Sequence, residues 1–232
     1  MKMPFVFSLI VSVLFFRPAL ATEIVETGKD STTMEECSLS ISGEIGKGDA
    51  ARIAAILAKW QERSPNAHYK LENKGLDYVV CLSGSGGDYL EAIKIAEIFD
   101  NSVVATSVPV NASCLSACAI AFMGGRDCCV EMGRTMMKRH LSVNSTLGLG
   151  APTLSTKKAS FSSQEISDAF DQSLDVITAL QNKAEKIGIS ANIINKLIAH
   201  RNGDVFEIKP DPKHQFNYVD VDGKVFQDIW VP

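Results

Sequence analysis

Asp77-Tyr78-Val79-Val80-Cys81-Leu82-Ser83-Gly84-Ser85-Gly86-Gly87 is the stretch that decides the fold. Tyr78 to Leu82 is an unbroken apolar run of strand-forming residues, which reads as a strand buried on both faces. The glycines then let the chain turn sharply. Leu90, Ile93, Ile95, Ala96, Ile98 and Phe99 give the next segment a broad apolar helical face. A second strand-like run, Val103 to Val110, follows it. Strand, glycine turn, helix and strand make a βαβ unit, so the expected fold class is α/β with a mostly parallel sheet.

The glycine turn is neither of two common phosphate-binding motifs. No Gly-Lys-Ser/Thr follows it, and Tyr89 stands where a dinucleotide fingerprint needs its third glycine. It reads equally well as a set of N–H donors for an oxyanion or extended substrate and as a tight strand-to-helix connection.

Towards the N-terminus, Leu39 and Ile41 alternate with serines and predict a strand ending at Gly43 or Ile45. Asp49 caps a helix carrying Ile53, Ala54, Ile56, Leu57 and Trp60, and Ser64 to Asn73 reads as a loop. Residues 22–36 are polar and irregular, which predicts a flexible lead-in. Lys2, the apolar run Phe5 to Phe16 and Ala19-Leu20-Ala21 have the pattern of a secretory signal over residues 1–21. The run is shorter than the ~20 residues that span a bilayer. Export to the periplasm or the exterior follows as the expectation.

Towards the C-terminus, Val110-Asn111-Ala112-Ser113-Cys114-Leu115-Ser116-Ala117-Cys118 leads into the apolar segment Ala119 to Met123. Ser116 therefore stands at the mouth of a short helix, where backbone N–H groups favour negative charge. Arg134 to Leu141 predicts a strand with His140 near its end, and residues 142–162 read as a loop or flap. A long helix is expected from Ser163 to Lys186, with Ile166, Phe170, Leu174, Ile177, Leu180 and Ala184 in one stripe. Ser190 to Arg201 predicts another helix, and Asn217 to Trp230 a hairpin around Asp222-Gly223.

With 46% hydrophobic and 22% charged residues, the chain suits one globular domain, taken as residues 37–232. The formal charge of −4 becomes −6 once Lys2 and Arg17 leave with the leader, and no basic stripe points to nucleic acid. The six cysteines, Cys37, Cys81, Cys114, Cys118, Cys128 and Cys129, lack zinc-ligand spacing and predict disulfides, with the pairing left open. No metal or cofactor is expected.

Ser116, His140 and Asp204 come in an order that allows a Ser-His-Asp set, in which imidazole takes the serine proton and the carboxylate orients the ring. Lys138 is the nearest candidate for a Ser-Lys dyad but shares its strand face with His140. His68, His200 and His214 carry no assigned role.

From about Ser38 to Asp220 the chain resembles the Clp protease proteolytic subunit, within the Clp/crotonase superfamily of repeated ββα units. It is most similar to exported bacterial members with a Cys-x-Ser-Ala-Cys motif. Ile41-Ser42-Gly43-Glu44-Ile45 is similar to the family's first strand, Leu82 to Gly87 to its oxyanion turn, and Tyr218-Val219-Asp220 to its closing segment. The resemblance implies Ser116 as nucleophile, Gly86, Gly87 and Ala117 as the oxyanion hole, His140 as base and Asp204 as third triad member. It also implies a handle helix at 163–186 through which subunits pack into a homo-oligomer. The chain departs from the family at Ser85, where proline is usual, and at Ala112, where glycine is usual. The expected function is an ATP-independent periplasmic serine peptidase acting on peptides or proteins, with no cytoplasmic ATPase partner. The alternative is a catalytically inactive peptide-binding or scaffolding protein on the same fold.

Overall fold

A computed structural model describes residues 22–27, 33–63, 78–130, 134–152, 160–201, 203–214 and 217–227, except for the side chains of 128–130 and 134–135. The proposed leader, the loop from Ser64 to Asn73 and the pairing of Cys128 and Cys129 lie outside what it describes. The chain is an α/β protein with a mixed sheet.

Strand β3 (Val79–Gly87) is the hub. It pairs in parallel with β2 (Leu39–Ile45) along most of its length, with β4 (Ala105–Val108) through Val79 to Cys81, and with β5 (Ser113–Leu115) at Gly84. The sheet therefore forks. One branch continues from β4 to β8 (Arg139–Leu141), β11 (Tyr218–Val219) and β12 (Val225–Phe226). The other continues from β5 to β9 (Thr146–Leu149) and β10 (Phe206–Ile208). The centre is parallel, whereas β10, β11 and β12 pair antiparallel at the margins, so the sheet is less parallel than the βαβ reading implies. β6 (Arg126–Val130) and β7 (Arg134–Met137) form a separate hairpin, which splits the single strand expected over Arg134 to Leu141.

The apolar run of β3 is buried on both faces, as its sequence implies. Val80 and Leu82 enter the main core with helices α1 (Asp49–Arg63), α2 (Tyr89–Ser102), α3 (Ala117–Phe122) and α5 (Ala191–Ala199). Val79 and Cys81 alternate to the other side, where they join Met34, Ala105 and Tyr218. There the Cys37–Cys81 disulfide ties the segment before β2 to β3.

Two expectations change. Part of the lead-in at 22–36 is ordered, because β1 (Glu23–Glu26) pairs antiparallel with β2 and Trp60 Nε1 donates to Glu26 at 2.7 Å. The supposed flap at 142–162 contains β9, whose Leu147 and Leu149 are both fully buried.

Helix α4 (Ser163–Ile187) starts at a Ser162/Glu165 capping box and ends at Gly188 in the left-handed region. Two buried arginines donate to the carbonyls at its end. Arg139 donates to Ile187 O and Gly188 O, and Arg126 to Lys186 O. Positive charge at a helix C-terminus opposes the negative end of its dipole, so this pair anchors α4 to the β8 branch.

Candidate functional site

Ser116 is held in a conformation that serine rarely adopts, with φ 53° and ψ −119°. Such backbone costs ~1–3 kcal/mol and persists only where neighbours enforce it. Three constraints do so here. Ser116 N donates to Gly148 O of β9 at 2.7 Å. Ser116 O accepts from Ala119 N and Ile120 N in the first turn of α3. The Cys114–Cys118 disulfide closes a small ring with Ser116 at its middle, both sulfurs being buried. A strand, a strained serine and a helix in immediate succession have the geometry of a nucleophile elbow.

The glycine turn packs directly against this elbow. Gly86 has φ +137°, and a Cβ placed on it would approach Ser116 Cβ to 3.1 Å, with Ala117 N at 3.8 Å. Ala117 is the first residue of α3, so its N–H lacks an intrahelical acceptor. The structure thus brings together Ser116, Ala117 and Gly86 from the expected set. Gly87 follows on the same turn, with Ile45 backbone where its side chain would be.

Tyr89, the first residue of α2, lies near Ser116. Tyr89 is buried, and its hydroxyl donates to Gly150 O just beyond β9. Burial pushes the phenol up to about 12, while Ser116 pulls the other way. Sequence reasoning missed this residue. Tyr89 registered only as the absence of a glycine, although an aromatic hydroxyl two residues past Gly86-Gly87 was the available signal.

His140 sits elsewhere. It lies on β8, opposite Ser107 of β4 and Tyr218 of β11. Its Nδ1 is 3.3 Å from Ser107 Oγ, and its ring packs on Tyr218 with centroids 5.7 Å apart. β8 and β5 belong to different branches of the fork, β8 pairing with β4 and β5 with β9. The strand beside the nucleophile is β9, and it ends in Leu149-Gly150 with no histidine.

Asp204 is also committed to another partner. Its Oδ2 accepts from His200 Nδ1 at 2.8 Å, and this bond holds the exposed carboxyl below its ordinary range. The 200–204 turn touches the end of β9, since Ala151 N donates to His200 O at 2.8 Å. The structure thus places His140 against Ser107 and Tyr218 and Asp204 against His200, whereas Ser116 stands at the β5–α3 junction. Lys138 pairs with Asp127 and joins none of them.

Among the described residues, no group of three or more His, Cys, Asp or Glu side chains is placed to hold a metal ion, and no helix is long and apolar enough to cross a membrane. No family model and no curated protein matches the chain.

Proposed function

We propose that this chain is a serine hydrolase of the peptidase class, on an α/β fold of the Clp/crotonase type, with Ser116 as nucleophile. The observation that carries the reading is the strained backbone of Ser116 at a strand-to-helix elbow lined by Gly86 and Ala117. Oγ would attack the carbonyl carbon, and the oxyanion would face the Ala117 N–H and the Gly86-Gly87 turn. Strain is retained at such a position for a functional return, since a serine in a relaxed turn packs as well. Two disulfides support an exported protein, in line with the leader pattern at 1–21.

Covalent labelling by a fluorophosphonate probe tests it. The wild type should label and Ser116→Ala should not, with both folded; equal labelling of the two sinks the proposal.

A second reading, the inactive peptide-binding protein, is favoured by one observation: His140 is placed on β8 against Ser107, whereas the strand beside Ser116's own is β9. Peptide binding retained in Ser116→Ala, with no turnover by either form, would select it.

Self-association through α4 belongs to the same proposal. Ile166, Phe170 and Leu174 are 59%, 63% and 49% exposed along its first turns, whereas Val176 and Leu180 are buried. Phe170→Glu should lower the solution mass to that of one chain and leave the melting temperature within about 2 °C, because an exposed position contributes within about 0.5 kcal/mol. An unchanged mass removes α4 as the contact.

A further inference from the structure

Gly148 of β9 and Gly150 just beyond it let the Asp204 turn lie close against the serine elbow. A Cβ on Gly148 would stand 2.6 Å from Leu115 Cδ2 and 3.2 Å from Val205 Cγ2. The residue before Ser116 and the residue after Asp204 therefore pack over the same glycine. Two positions on, and so on the same face by alternation, a Cβ on Gly150 would stand 2.6 Å from Asp204 O. Backbone of the turn thus fills the place where a side chain at the end of β9 would go.

His200 opens that turn, directly after the last residue of α5. Its carbonyl accepts from Ala151 N at 2.8 Å, while Ser116 N donates to Gly148 O at 2.7 Å. Both residues are hydrogen-bonded to one stretch of backbone, Gly148 to Ala151, which spans at most about 11 Å. The imidazole rests on Phe206, with ring centroids 5.8 Å apart, and Phe206 pairs with Leu149. Its Nδ1 lies 2.8 Å from Asp204 Oδ2. A carboxylate can only accept, so the Nδ1 proton points at Asp204 and Nε2 of the neutral ring keeps its lone pair. The side chain is 31% exposed, which leaves it open to a substrate lying along the elbow.

We propose that His200, oriented by Asp204, is the general base for Ser116, a helix end supplying the imidazole that β9 lacks. This rests on the reading of Ser116 as nucleophile. In the step itself the Ser116 hydroxyl proton passes to Nε2 as Oγ bonds to the carbonyl carbon, whose π pair moves onto oxygen. The imidazolium then gives that proton to the departing amine as the C–N bond breaks. Water enters by the reverse sequence and releases the acid. With a fluorophosphonate, fluoride leaves phosphorus with the bonding electron pair.

The test compares fluorophosphonate labelling rates of the full chain as wild type, His200→Ala, Asp204→Asn and Ser116→Ala. His200→Ala should label about 100-fold more slowly, the low end of what a positioned base contributes. Free imidazole should restore part of that rate and leave the wild type unchanged, and Asp204→Asn should also be slow. Wild-type labelling that is lost in Ser116→Ala but kept at full rate in His200→Ala or Asp204→Asn overturns the pairing and leaves the nucleophile standing. Slow labelling of His200→Ala that imidazole does not restore marks a structural role and does the same. No labelling by any form, or labelling of Ser116→Ala, overturns both. Should His200→Ala not fold, His200→Gln takes its place, and a wild-type rate in it overturns the base.

Discussion

Gly86 backs closely onto Ser116, leaving tight room for any side chain. A Cβ on Gly86 would stand 3.1 Å from that of Ser116, and the Gly86 backbone at φ +137° is one that L-residues avoid. Gly86→Ala should therefore lose more than about 1 kcal/mol of stability and also slow Ser116 labelling. Gly203→Ala is the control, because Gly203 has φ +83° with nothing within 4 Å of its missing Cβ. It should lose stability in a urea melt and leave labelling intact.

The two disulfides separate stability from reactivity. Cys37–Cys81 closes a loop with a sequence separation of 44 and Cys114–Cys118 one of 4. Loop-closure entropy assigns about 4 kcal/mol to the first and about 2 kcal/mol to the second. Replacing Cys37 and Cys81 by alanine should therefore cost more stability and spare Ser116. Replacing Cys114 and Cys118 should cost less and slow labelling, since that ring encloses the strained serine. Labelling that follows stability across both double variants would contradict the assignment.

His140→Ala asks whether the fork in the sheet isolates this histidine. It removes a buried ring from Ser107 and Tyr218, so a loss of about 1–3 kcal/mol is expected. Ser116 labelling should persist in the folded fraction. Its disappearance at full folding, measured by near-ultraviolet circular dichroism, would reinstate His140 as the base.

Glu91 sets part of the acid sensitivity. It accepts from Gly48 N and Ala50 N at the start of α1 and pairs with Lys94. Burial pushes its carboxyl up, but Lys94 and the two amides outweigh that and hold it below the ordinary value. A folded-state value below the unfolded one means the contribution is present above the unfolded value and is lost as pH falls through the folded one. Thermal melts from pH 7 down to 3 should show wild type losing stability in that acid window. Glu91→Gln should start lower at pH 7 and fall less steeply. Parallel curves for the two proteins would rule the role out.

The elements around the opening βαβ unit were legible because their signals are local. Buried strand β3, its glycine turn, α2 and α4 each announce themselves by a run or a period within about 25 residues. The elbow was legible as well, since small residues around a serine between a strand and a helix fix a position in the chain. Strand β9 was hidden because Thr146-Leu147-Gly148-Leu149 offers only two apolar residues among serines and glycines, and its burial comes from pairing with β5 and β10.

By itself, then, the sequence determined an α/β chain with a serine candidate at a strand-to-helix junction. The tertiary structure alone decided who stands beside that serine. Which strand lies next to β5 depends on ladder pairing between distant segments, and periodicity carries no record of that pairing. The fork at β3 sends the strand of His140 to one branch and the strand before Ser116 to the other. Cysteine pairing was undetermined for the same reason, and it was resolved where the backbone brought Cys37 to Cys81 and Cys114 to Cys118.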